Sequence, residues 1–253
     1  MANNRYWNSR QIQERLRLMN LTLEQLQRIL RREYSRVYKE IKTLFLDLMN
    51  SLPPNPTADM LYREDKYYKL LSEIQYKLDH LGQIEKNHLE KTFSEYYVKN
   101  VNQIEGNVNI PIDDARVTKA INAVVPGDGK NFSDRIWKDK RQLVEKLSKG
   151  LVDTITTGRN WGSLSKEIQK DFNTSFFNAR RLIRTELSRI NNESALDKYR
   201  AEGVKEVRWI AEPDCCDECN KYNNKVFPVD KAPIPVINSH PQCKCCLIPI
   251  VKL

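Results

Sequence analysis

Glycine is scarce in this chain, eight residues in 253. Few positions are therefore free to take a left-handed backbone, which argues against a turn-rich all-β fold. With 30% of residues charged, the composition favours helices. Long apolar runs are missing too. The best, Leu44-Phe45-Leu46-Asp47-Leu48-Met49, is too short and too charged to span a bilayer. No apolar signal-peptide core follows the polar start Met1-Ala2-Asn3-Asn4-Arg5. The expected setting is a reducing cytoplasm, where clustered thiols bind metal more often than they form disulfides. The sequence has no internal repeat, no low-complexity tract and no Gly-rich phosphate cradle. The zinc-deaminase pattern, His-x-Glu followed by Pro-Cys-x-x-Cys, is absent as well.

The first 214 residues lack cysteine, and all six thiols fall in the last 39. They form two knuckles. The first is Cys215-Cys216-Asp217-Glu218-Cys219. Twenty residues later comes His240-Pro241-Gln242-Cys243-Lys244-Cys245-Cys246. Zinc takes about four nitrogen or sulfur ligands in a tetrahedron, and a Cys-x-x-Cys turn supplies two of them. Cys216, Cys219, His240, Cys243 and Cys245 are five candidates for four places, with Cys215 and Cys246 to spare. The spacing does not choose between His240 and a downstream cysteine. A surplus of ligands favours a closed structural zinc site over a catalytic one with an open position. The competing reading is a set of reduced or redox-active thiols. A redox pair calls for a helix behind Cys-x-x-Cys, and Asn220-Lys221-Tyr222-Asn223-Asn224 reads as a turn instead.

Net charge is +9 and the isoelectric point about 9.2, a balance that suits a polyanionic partner. The excess is spread out: residues 1–50 carry ten Lys/Arg against five Asp/Glu, and residues 130–150 seven against three.

Periodicity organises the rest. Thr22-Leu23-Glu24-Gln25 has the form of a capping box. Leu23, Leu30, Val37 and Leu44, beside Tyr34, Ile41 and Leu48, form one apolar stripe, which predicts a helix from about 22 to 50 after an earlier one over 8–19. Pro53-Pro54-Asn55-Pro56 stops it. Helices over about 58–80 and 83–103, divided at Gly82, are expected as an antiparallel hairpin. A loop over 104–112, a short helix from Asp113 or Asp114 and the turn Pro126-Gly127-Asp128-Gly129 mark a domain boundary. Beyond it, helices are expected to about 157 (ended by Gly158), to about 172, and from Thr174 to about 201, closed by Gly203. Phe177, Leu182, Ile183, Leu187, Ile190 and Leu196 are the candidate core of the last. The period then changes to two, giving strands near 205–211, 225–229 and 246–251, the last two at sheet edges because they contain proline. The expected fold is mainly α: a helical arm and hairpin over 1–104, a helical part over 105–203, and a small β-containing, cysteine-rich, zinc-binding module over 204–253.

These residues carry a family resemblance. Arg184-Thr185-Glu186-Leu187-Ser188-Arg189-Ile190-Asn191-Asn192-Glu193-Ser194-Ala195 is followed by Gly203-Val204, Trp209, Asp214-x-Cys216-x-x-Cys219, Lys225-Val226-Phe227 and His240-Pro241-Gln242-Cys243-Lys244-Cys245. In that order and spacing they resemble the tailed-phage minor head proteins, also called phage head morphogenesis or Mu F-like proteins, over about 130–251. Asn131-Phe132-Ser133-Asp134-Arg135-Ile136-Trp137 and the Gly158–Ser163 turn add to the likeness. Asn224 stands where the family has Gly, a change Asn tolerates because both accept a left-handed backbone. Lys244 replaces the usual Arg, and Cys215 and Cys246 are additional.

The resemblance implies a non-enzymatic virion component made in the host bacterial cytoplasm. It would sit inside the head near the portal and serve procapsid assembly, DNA packaging or ejection. Portal protein, major capsid or scaffold protein and packaged double-stranded DNA are the implied partners, with no membrane. It also implies Cys216, Cys219, His240, Cys243 and Cys245 as the zinc-binding set, with no cargo domain expected behind the motif. Arg184 and Glu186, two apart on a helix, face different sides and cannot form a catalytic pair. With Thr185 and Trp209 they are expected to make structural or partner contacts. The runner-up is a zinc-ribbon-type nucleic-acid-binding protein with a helical dimerisation arm. An enzyme would need a general base and a pocket that the sequence does not display.

Overall fold

A computed structural model of the chain describes residues 2–53, 56–63, 65–104, 112–124, 129–213 and 215–250. The turn at Pro126-Gly127-Asp128, most of the 104–112 loop, Asp214 and Val251 lie outside the described residues. Helices come first: α1 (Ala2–Ser51), α2 (Ala58–Arg63), α3 (Lys66–Gln103), α4 (Asp114–Ile121), α5 (Phe132–Thr157) and α6 (Trp161–Ala201). A three-stranded sheet follows, β1 (Glu206–Ile210), β2 (Val226–Pro228) and β3 (Cys246–Ile250), with the one-turn helix α7 (Asp217–Asn220) between β1 and β2. The chain is thus mainly helical with a small C-terminal sheet.

The residues pack as two compact units. One comprises Met1–Leu26, Leu89–Phe132 and Arg181–Leu253; the other comprises Gln27–His88 and Ser133–Arg180.

Helix α1 is one helix, not two. Thr22 does not cap a helix; its Oγ1 donates to the Leu18 carbonyl at 2.8 Å, inside the helix. The buried stripe runs straight through this point in three tracks: Met19, Leu30, Ile41; Leu23, Tyr34, Phe45; and Leu26, Val37, Leu48. Each track repeats every eleven residues, about 3.67 per turn, close to the natural pitch of a straight helix. A seven-residue track drifts off that face. For this reason Leu44 ends up only half-buried and Phe45 takes the core position.

Helix α3 likewise runs through Gly82, which ends no helix. A β-carbon there would lie 2.8 Å from Trp137 Cζ3 and 3.2 Å from Lys140 Cγ. The glycine exists to let α5 approach. Helix α6 runs through Thr174, whose hydroxyl donates to the Lys170 carbonyl at 2.9 Å. Phe177, expected in the core, is 57% exposed, and Leu182 is half-buried. Phe176 is the inward ring instead, edge-on to Tyr34 at 5.4 Å. Other punctuation reads as expected. Asp113 caps α4 by accepting from Arg116 N, and Gly158 and Gly203 take φ of +65 and +72.

The second unit contains a buried polar cluster on α1, α3, α5 and α6. Lys140 Nζ lies 2.9 Å from Glu85, and both side chains are 2% exposed. Tyr34 donates to Glu85 at 2.9 Å, and Ser175 donates to Asp139. Burial alone would lower the Lys140 ammonium, but Glu85, Tyr34 and Asp139 outweigh it and raise its pKa. The charge is therefore kept and paired, as buried charges must be.

Candidate metal centre

Strand β1 is central, with β2 and β3 antiparallel on either side, so the two proline-containing strands are the edges. Val207 pairs with Phe227 on one side and Pro249 on the other. One face of this sheet is covered by α6. Ala195, Leu196 and Tyr199 share a core with Val207, Trp209 and Leu247, and three of the thiols, Cys219, Cys243 and Cys245, belong to that same cluster. Trp209 is fully buried and stacks on Tyr222 at 4.7 Å and 25°. Its role is therefore packing.

The two knuckles come together. Cys216, Cys219 and His240 place one ligand atom each within 4.8 Å of one another, and so do Cys219, Cys243 and Cys245. Cys219 is common to both triples. Its Sγ lies 3.3 Å from His240 Nε2 and 3.5 Å from Cys243 Sγ. Ligand atoms about 2.3 Å from a tetrahedral zinc stand about 3.7 Å apart. Each triple could hold a metal ion, and its thiol and imidazole donors are of the kind zinc takes. Among the described residues, the groups placed to do so are drawn from these five. Cys215 and Cys246 are outside both triples, and burial pushes the Cys246 thiol up to about 11.

Local backbone geometry aims the ligands. Cys216 is the N-cap of a single helical turn, α7, and Cys219 lies within that turn. At the second knuckle Gln242 takes φ +65, which turns the chain between His240 and Cys243. His240 Nδ1 lies 2.8 Å from the Pro241 carbonyl. A carbonyl only accepts, so Nδ1 carries the proton and Nε2 presents its lone pair to Cys219. Asn224 takes φ +62, the left-handed conformation expected of it in place of glycine. The Cys245 thiol donating to Cys243 holds the latter down at about 5, and the same contact raises Cys245. Burial pushes Cys219 up to about 12. A bound cation would override this hierarchy and deprotonate its thiol ligands.

Helix α6 supplies the frame. Thr185 Oγ1 donates to Arg181 O and accepts from Gln242 N at 3.1 Å, so Thr185 docks the second knuckle. Glu186 is buried and accepts from Arg189 Nε at 2.8 Å. Arg189 in turn donates to Glu193 and to the Ala120 and Ile121 carbonyls, fastening the end of α4. Arg184 is half-buried, and its Nε finds no partner among the described residues.

Sequence reasoning missed the residues that hold the module most directly. Ser188 donates to the Cys243 carbonyl. Asn192 donates to Cys245 O at 3.2 Å and accepts from Leu247 N at 3.0 Å. Arg15, 3% exposed on α1, donates to Leu247 O at 3.1 Å, Tyr199 OH at 3.3 Å and Asn191 O at 2.7 Å. For Ser188 and Asn192 a signal existed. They sit four apart inside the motif and so share a helix face with each other. For Arg15 none did.

Fold and site together define a helical protein whose C-terminal end is closed by a three-stranded Cys/His module fastened to one long helix. Residues 145–248, about two-fifths of the chain, match the family described as Phage Mu protein F like protein. Over that segment the chain is similar to this family. The matched span takes in both knuckles, the body of α6 and most of the sheet. No curated protein and no solved structure matches the chain. No helix among the described residues is long and apolar enough to cross a membrane.

Proposed function

We propose that the chain is a non-enzymatic component of a phage head, a minor head protein that acts inside the capsid near the portal. Its work there is procapsid assembly, DNA packaging or ejection. The observation that carries this reading is the family match over the same residues that build the clasp. The clasp is architectural: Cys219 and Cys243 with two of Cys216, His240 and Cys245 hold one zinc ion. Three of the thiols are buried in the module core, which leaves a substrate no approach to them. A closed four-ligand site ties turns together and needs no turnover. Portal protein and major capsid or scaffold protein are the partners, and the virion is the place of action after synthesis in the bacterial cytoplasm.

Co-expression with the portal and major capsid proteins of the same phage tests this. The expected result is a portal complex in native mass spectrometry and the chain in purified heads. Heads that lack the chain, together with no portal complex, would sink the reading.

A further inference from the structure

Helix α1 carries a strongly basic face that the clasp does not use. Arg28, Arg31, Arg32, Ser35, Arg36, Lys39 and Glu40 line a surface depression of about 670 Å³. All but Glu40 are exposed. At 100° per residue, Arg28, Lys39 and Arg32 fall within about 40° of one another on the helix circumference. That line lies opposite the stripe of Leu26, Leu30, Val37 and Ile41, which are buried. The eleven steps from Arg28 to Lys39 cover about 16 Å at 1.5 Å per residue. Arg36 pairs with Glu33 at 2.9 Å and Glu40 at 3.0 Å, and Arg31 stands over the Phe176 ring at 5.5 Å. These two flank the line.

We propose that this face binds the phosphodiester backbone of duplex DNA, with Arg28, Arg32 and Lys39 as the phosphate contacts. Duplex DNA presents one negative charge per about 1.7 Å of axis, so a rigid row of cations this long meets several phosphates at once. Four of the five cations are arginine, whose planar fork matches a phosphate in two hydrogen bonds. An anionic membrane is the poorer partner. A helix that lies on lipid inserts its apolar face, and here that face is buried in protein. Phosphate contacts carry no sequence information, so binding through this row is independent of sequence. That the duplex is the packaged genome rests on the head-protein reading; the phosphate-binding face itself does not.

The test uses the full chain and a labelled duplex of about 30 bp, titrated between about 50 and 200 mM salt. With three phosphate contacts the wild-type affinity should fall roughly 40-fold across that range. The R28Q/R32Q/K39Q variant should bind at least about tenfold more weakly at low salt, with a log–log salt slope shallower by about 2.7. The K91Q/K205Q/K225Q variant removes equal charge from exposed positions elsewhere and should retain wild-type slope. Circular dichroism checks that both variants are helical. Wild-type affinity and slope in the first variant, or an equal loss in the second, overturns the proposal. So does tighter binding to phosphatidylserine vesicles than to duplex. Incorporation into heads is scored separately. A chain that binds duplex through this face yet never enters heads refutes the head-protein reading and leaves the surface standing.

Discussion

At the residue scale, one amide spans two backbone groups of the C-terminal segment. Asn192 satisfies Cys245 O and Leu247 N, on either side of the point where the second knuckle becomes β3. Both are buried, so an unpaired group there keeps its full desolvation cost. Asn192→Ala should destabilise the protein by about 3 kcal/mol in denaturant unfolding. A loss within about 0.5 kcal/mol, the range of ordinary surface substitutions, would contradict the assignment.

Glu193 sets a pH dependence at the same scale. Burial first, and then Glu186 and Asp197, raise its pKa to about 7, against the pull of Arg189. The native state therefore binds a proton that the unfolded chain, near the ordinary carboxylate value, releases. Stability through this group is lower above pH 7 and rises as pH falls from about 7 toward 4.5. Unfolding midpoints measured at pH 8 and pH 6 should differ in the wild type, and that increment should vanish in Glu193→Gln. An unchanged increment in the variant would assign it to other groups.

At the scale of the element, helix boundaries were read best where the backbone itself is constrained. Gly158 and Gly203 stand at left-handed ends, Asp113 caps α4, and the prolines of β2 and β3 put those strands at the edges. Thr22, Gly82 and Thr174 looked like boundaries and are not, because packing overrode local preference. The stripe through Met19 and Leu23 keeps α1 continuous, and Gly82 is kept by the ring of Trp137. This reverses the sign of a familiar substitution. In an open helix Gly→Ala stabilises by about 1 kcal/mol. Gly82→Ala should destabilise by about 1–3 kcal/mol, since the new methyl must push α5 away. A raised melting temperature would show the contact to be loose.

At the scale of the whole molecule, the C-terminal module has two sources of stability. The sheet rests on Ala195, Leu196 and Tyr199 of α6, and the ligand cluster ties the two knuckles. Zinc binding contributes on the order of 10 kcal/mol in small metal domains. Purified reduced protein should carry about one zinc per chain. Chelation should accelerate amide exchange over 206–250 before it does so in Gln27–His88 or Ser133–Arg180. Cys219→Ser should lose the most metal, as Cys219 belongs to both triples. Zinc-free protein with an unchanged exchange pattern would leave the sheet–helix core as the sole support.

The linear chain determined the ligand inventory, the change of period from helix to strand, and the family motif, because each is written in residue type and spacing along one local segment. Tertiary structure alone decided which thiols meet and that Ser188, Asn192 and Arg15 hold the module. It also decided that two compact units are drawn from interleaved stretches of sequence. Those outcomes depend on approaches between residues as far apart as Arg15 and Leu247. A one-dimensional pattern carries no record of which distant side chain fills the space beside a given atom.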